Sequence, residues 1–126
     1  MRQLIGMLGL AVFCSVSAAE PLTGGVKAEI DALLSKLQTS GCQFNRNGTW
    51  YTSSEAKEHL ARKLEYLEGK ATISSAEQFI DLAASRSSSS GKAYLVKCGS
   101  EAAVESKLWL GSQLVSIRNS AGKAKP

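Results

Sequence analysis

Asn47-Gly48 leaves the chain around it little freedom. A two-residue hairpin loop needs positive φ at both central positions, and Asn-Gly is the pair that adopts it at least cost. The stretch "CQFNRNGTWYTSSEAKEHL" (42–60) therefore opens with a β-hairpin. A loop of two fixes the register. Arg46 faces Thr49, Asn45 faces Trp50, and Phe44 faces Tyr51. Side chains alternate across a strand, so Cys42, Phe44 and Tyr51 share one side, while Trp50 and Asn45 point to the other. Thr52 and Glu55 follow as a T-x-x-E capping box, which opens a helix running to about Gly69.

The same reading extends in both directions. Val26, Ile30, Leu33, Leu34 and Leu37 recur at helical spacing, with Thr23 as cap and Gly41 as terminator. Ser74 and Glu77 form a second box, before a helix carrying Phe79, Ile80, Ala83 and Ala84. "SRSSSSGK" (85–92) reads as a loop, and "AYLVKC" (93–98) as a strand that pairs with the hairpin and brings Cys98 near Cys42. A last helix holds Leu108, Trp109, Leu110, Leu114 and Ile117, and residues 119–126 read as a disordered basic tail. The expected class is α+β: a small antiparallel sheet, hairpin plus one strand, packed by about four helices and held by one disulfide.

The disulfide depends on the N-terminus. Arg2, the apolar run from Leu4 to Val16, and "SVSAAE" (15–20) make a secretory signal pattern over residues 1–19, cleaved after Ala18 or Ala19. Phe13 stands where a lipoprotein signal carries a small residue, so Cys14 is no lipid anchor. The run is shorter than the roughly 20 residues that span a bilayer, and the mature chain has no transmembrane segment. Cleavage removes Cys14 and leaves Cys42 and Cys98, which pair in an exported chain. Such a bridge stabilises by up to ~4 kcal/mol in the chain-entropy account. Residues 20–118 then form a single periplasmic or secreted domain.

Several of these segments together resemble a known family. "CQFNRNG" with Tyr51, "EAKEHL" with Lys63, "AEQFI" (76–80), "SSSSGKAYLVKC" (87–98) and Trp109-Leu110 look like the YfeK-like family, small exported bacterial proteins built on a domain of unknown function. The resemblance covers nearly all of the mature chain. It implies export in a bacterium and a single small domain, and it carries over no catalytic role.

The residues themselves limit the function. A net charge of +4 without a long basic block, and with few aromatics, does not favour nucleic acid. There is one histidine, no G-x-S-x-G elbow, and no zinc-like spacing among Cys42, Cys98 and His59, so neither catalytic nor metal residues are assigned. "SSSSGK" departs from the phosphate-loop pattern at Arg86 and Ala93. No cofactor is implied.

What stands out lies on the second helix. At about 100° per residue, Ala56, Leu60, Leu64 and Leu67 share one sector. Lys63 falls inside that sector and His59 on its border. Glu58 and Arg62 form an i,i+4 pair on the charged face. The expected function is a non-enzymatic domain that binds a partner through a polar edge made by Arg46, His59, Lys63 and the loop Ser88, Ser90, Gly91 and Lys92. Trp50 is the exposed aromatic, suited to stacking on a sugar ring or a protein surface. An envelope protein or an anionic cell-wall component fits this chemistry. Two alternatives stand beside it. S-G-x-x-Y at Ser90–Tyr94 is similar to a short motif of periplasmic lysozyme inhibitors, with Ser90 and Lys92 set against paired carboxylates. A cell-wall hydrolase would use His59.

Overall fold

The computed structural model describes residues 24–70 and 73–124. The expected signal peptide and the Thr23 cap lie outside these residues. The turn forms as the sequence requires, with φ 53° at Asn47 and 86° at Gly48. It joins β1 (Gln43–Arg46) to β2 (Thr49–Tyr51), with Phe44 opposite Tyr51, Asn45 opposite Trp50 and Arg46 opposite Thr49. The alternation also holds. Phe44 is buried, while Trp50 is 40% exposed on the other side.

β3 (Leu95–Lys97) lies antiparallel along β1, pairing Gln43 with Lys97, Phe44 with Val96 and Asn45 with Leu95. One step further in this register sets Cys42 opposite Cys98, and there the disulfide closes the ladder across 4.2 Å between Cα atoms. One step the other way sets Arg46 opposite Tyr94. The sheet has one strand more than the sequence reading allowed. β4 (Val104–Glu105) pairs with β3, giving the order β2-β1-β3-β4. Two exposed residues carry no alternation to read. Their pairing rests on backbone bonds, continued by the Ser106 N–H, which donates to the Tyr94 carbonyl at 2.8 Å.

Four helices complete the fold: the second and fourth pack against this sheet, and the first and third pack against them and each other. α1 (Gly24–Thr39) buries Ile30, Leu33, Leu34 and Leu37, and the chain leaves it through Gly41 at φ 71°. α2 (Ser53–Glu68) opens on the expected box. Thr52 Oγ1 accepts from the Glu55 N–H at 3.2 Å, and Glu55 accepts from the Thr52 N–H at 2.9 Å. The cap of α3 (Ala76–Ala83) falls one residue later than expected. Ser75, not Ser74, accepts from the N–H of Gln78, and the Gln78 side chain reaches back to the Ser74 N–H at 2.7 Å. Glu77 is drawn elsewhere. Arg118 of α4 (Ser106–Ala124) binds it at 2.6 and 2.9 Å while holding Glu29 of α1 at 2.8 and 2.9 Å. Leu110 and Leu114 of α4 are buried, but Leu108 is 65% exposed. It precedes Leu110 by two residues, about 200° around the helix, and so faces outward. α4 runs on into the segment expected to be a tail, because extending an anchored helix is far easier than nucleating one. No helix among the described residues is long and apolar enough to cross a membrane.

Candidate functional site

The period of two that buries Phe44 also places Arg46, the last residue of β1, on the same inner face. Tyr94 stands opposite it. α2 lies over this face, seated by Ala56, Leu60 and Leu64. His59 and Lys63 are one turn apart and stand over the end of the sheet, both half-buried. The core is therefore apolar at Phe44 and Val96 and becomes polar where Arg46 and Tyr94 meet α2.

The donors and acceptors of this corner can be assigned from chemistry. Arg46 Nη1 lies 3.4 Å from His59 Nδ1. A guanidinium only donates, so Nδ1 accepts and the ring proton sits on Nε2. Nε2 then donates to the Tyr94 hydroxyl at 3.4 Å, which also accepts from Lys63 Nζ at 3.2 Å. Lys63 lies 5.2 Å from the centroid of the same ring, and Arg46 stands equally far over the ring of Tyr51. Burial, then the charges of Arg46, Lys63 and Arg62, push His59 down to about 4. The histidine is neutral at neutral pH. Burial, then Arg46, also lowers Lys63, and burial raises Tyr94. Among the described residues none of Arg46, Arg62 and Lys63 forms an ion pair with a carboxylate, and the expected Glu58–Arg62 pair does not form.

The serine loop closes the corner. Arg86 bridges to Ala93, and the Ser87 and Gly91 amides bond back across the loop, with Gly91 at φ 74°. Buried Ser87 is its hub. Its Oγ accepts from the N–H groups of Ser89 and Ser90, and from Asn47 Nδ2 at 3.2 Å. Ser90 Oγ donates to the side-chain oxygen Oδ1 of Asn47. Asn47 thus shapes the hairpin turn with its backbone and anchors the serine loop with its side chain.

Two hollows result. One of about 240 Å³ lies between Arg46, His59, Lys63, Tyr94 and the loop at Ser87–Ser89. A second of about 170 Å³ lies across Arg46 and His59, walled by Phe44, Tyr51, Glu58 and Arg62. Of the residues expected at the edge, Arg46, His59, Lys63 and Ser88 meet in the larger hollow. Ser90, Gly91 and Lys92 form the exposed rim of the loop, outside it, and Trp50 lies on the opposite face of the sheet. From the sequence Asn47 was a turn residue only, and neither Ser87 nor the role of Tyr94 was found.

Both ring nitrogens of His59 are engaged, by Arg46 and by Tyr94, so no Ser–His pair is assembled at this histidine. The stretch Ser90–Tyr94 does not present its ends together. Ser90 turns to Asn47, and Tyr94 is 2% exposed beneath α2. No cluster of metal-ligating side chains gathers among the described residues.

A family of unknown function (DUF5329) matches residues 25–118, a span that holds the whole sheet and the hollow. The uncharacterized protein YfeK of Salmonella typhimurium is 40% identical over 89 residues, which is 70% of this chain and 68% of that protein. No solved structure matches.

Proposed function

This chain belongs to the DUF5329 family of unknown function, and we propose that it is an exported, non-enzymatic domain that binds an anionic group of a cell-envelope partner in the hollow beside Arg46 and Lys63. One observation carries the reading. Two half-buried cations flank a neutral histidine with no carboxylate paired to either among the described residues. A partly desolvated charge without a counter-charge is unfavourable, and an anion arriving from outside offsets that cost. Groups held in such surroundings cluster at functional sites. Export is supported by the signal pattern at residues 1–19 and by the Cys42–Cys98 bridge, since disulfides persist in oxidising compartments.

The test is an amide NMR titration of the mature domain with carboxylate- and phosphate-bearing cell-wall fragments. Shifts should centre on residues 46–47, 59–63 and 87–94, and should be lost in Arg46→Met and Lys63→Met. Shifts confined to the Trp50 face, or none at all, would remove the hollow from consideration. N-terminal sequencing of periplasmic protein should begin at residue 19 or 20.

A further inference from the structure

We infer that the larger hollow takes a tetrahedral, doubly charged oxyanion of the phosphomonoester type, and that the anion draws Arg46 off His59, which then gains a proton. This narrows the anion-binding reading and rests on it.

The first ground is charge. Arg46 and Lys63 present two positive charges that no carboxylate among the described residues pairs with. A single carboxylate answers one of them, whereas a dianion answers both. The second ground is donor geometry. The Tyr94 hydroxyl already accepts from Lys63 and from His59, so its own hydrogen is left to donate. Lys63 keeps two further N–H groups, Arg46 keeps its remaining ones, and Ser88 lines the same hollow from the loop. These donors come from β1, α2, the residue preceding β3 and the serine loop, so they approach from several directions. Oxygens arranged as a tetrahedron can meet such a set. A planar carboxylate has two oxygens in one plane and meets fewer.

The third ground is His59. Arg46 faces it from β1, Arg62 and Lys63 lie beside it on α2, and the Tyr94 phenol closes it from below, while Glu55 and Glu58 line the adjoining hollow. In the empty site burial and the three cations oppose protonation. A dianion that draws the Arg46 guanidinium off Nδ1 offsets the nearest charge and offers that nitrogen an acceptor in its place. The ring can then return toward its ordinary value of 6.5.

The experiment is calorimetric titration of the mature protein with sulfate, inorganic phosphate and acetate, at about pH 5.5 and about pH 7.5, each in two buffers of different ionisation heat. Sulfate does not titrate in this range, so any proton taken up belongs to the protein. Sulfate and phosphate should bind at least about tenfold tighter than acetate. Sulfate should bind about tenfold tighter at the lower pH and take up about one proton, as expected when a histidine moves from about 4 to 6.5. His59→Gln, with its fold confirmed by its amide spectrum, should abolish the uptake and the pH dependence. Vesicles of phosphatidylcholine with and without phosphatidic acid tell a lipid headgroup from a soluble phosphate. Acetate binding as tightly as sulfate, or sulfate binding without proton uptake, overturns this inference and leaves the anion-binding reading standing. No binding of any anion to this hollow overturns both.

Discussion

Arg46 points its guanidinium at His59 Nδ1 from 3.4 Å, and that contact decides which nitrogen of the ring holds the proton. A cation placed against a histidine is the reverse of the carboxylate that supports a catalytic base. It lowers the ring's basicity and fixes the tautomer, so the histidine becomes a neutral donor to Tyr94. Binding, rather than proton abstraction, is what such a histidine is suited to.

Its titration should show this directly. Followed by ring NMR, His59 should have its midpoint near 4, and Arg46→Met should raise it. The sign for stability follows. The unfolded chain protonates this ring near 6.5 and the folded chain only near 4. Stability is therefore full above pH 6.5, falls as pH drops toward 4, and levels off below. Solvent screening of a half-exposed ring limits the loss to about 1 kcal/mol. Denaturant unfolding of wild type and His59→Gln should diverge in that window. A difference that does not change with pH would contradict the depressed value.

Acid acts elsewhere by another route. Arg118 of α4 joins Glu29 of α1 to Glu77 of α3, and its hydrogen bonds hold Glu77 down to about 2 and lower Glu29 as well. A depressed carboxylate contributes stability that is present above its unfolded value of 4.5 and is lost as pH falls through its folded value. The clamp should thus keep its full contribution through most of the window in which His59 acts, lose it progressively below 4.5, and have little left near 2. It is a surface cluster, so Arg118→Ala should cost about 1 kcal/mol at neutral pH and less at high salt. Equal stability of wild type and Arg118→Ala at low ionic strength would show that the clamp holds nothing.

Residues that act on near neighbours were legible in the sequence. Asn47-Gly48 and the Thr52–Glu55 box act within a few positions, and both formed as read. Ser74 and Ser75, followed by Glu77 and Gln78, offered two overlapping caps. Ser75 and Gln78 form the cap, while Glu77 pairs with Arg118, 41 residues further on. Two-residue β4 had no period to detect. At the corner, Lys63 was visible because a charge fell in an apolar sector. Tyr94 was not, because a tyrosine in a strand looks like core until the helix laid over its hydroxyl is known.

The hairpin separates turn geometry from loop anchorage. A Cβ at Gly48 would meet no atom within 4 Å, so Gly48→Val suffers chiefly from φ 86°. It should cost about 1–2 kcal/mol in backbone strain. Asn47→Gly keeps a residue tolerant of positive φ but removes the bonds to Ser87 and Ser90. It should leave the sheet intact and speed amide exchange at residues 87–92. Trp50→Ala should cost under about 1 kcal/mol, against about 3–5 kcal/mol for Phe44→Ala, where a fully buried ring is lost. If Trp50 proved the costlier of the two, the register would be wrong.

Lys63 offers the clearest separation of stability from binding. Its ammonium is disfavoured by burial and by Arg46, yet it donates to Tyr94 and lies over that ring. Lys63→Met keeps the stem and removes the charge. Relief of desolvation and repulsion opposes the loss of one hydrogen bond, a term of about 1 kcal/mol, so stability should change little. His59, freed of one of its cations, should titrate higher. Binding has no such compensation. With one of two counter-charges gone, affinity for an anion should fall by tenfold or more, about 1.4 kcal/mol. Tyr94→Phe keeps the ring packed 5.3 Å from Phe44 and removes only the hydroxyl, and it should weaken the same anion less. If Lys63→Met and Arg46→Met both fold and both bind the anion as wild type does, the corner formed by β1, α2 and the serine loop has no part in recognition.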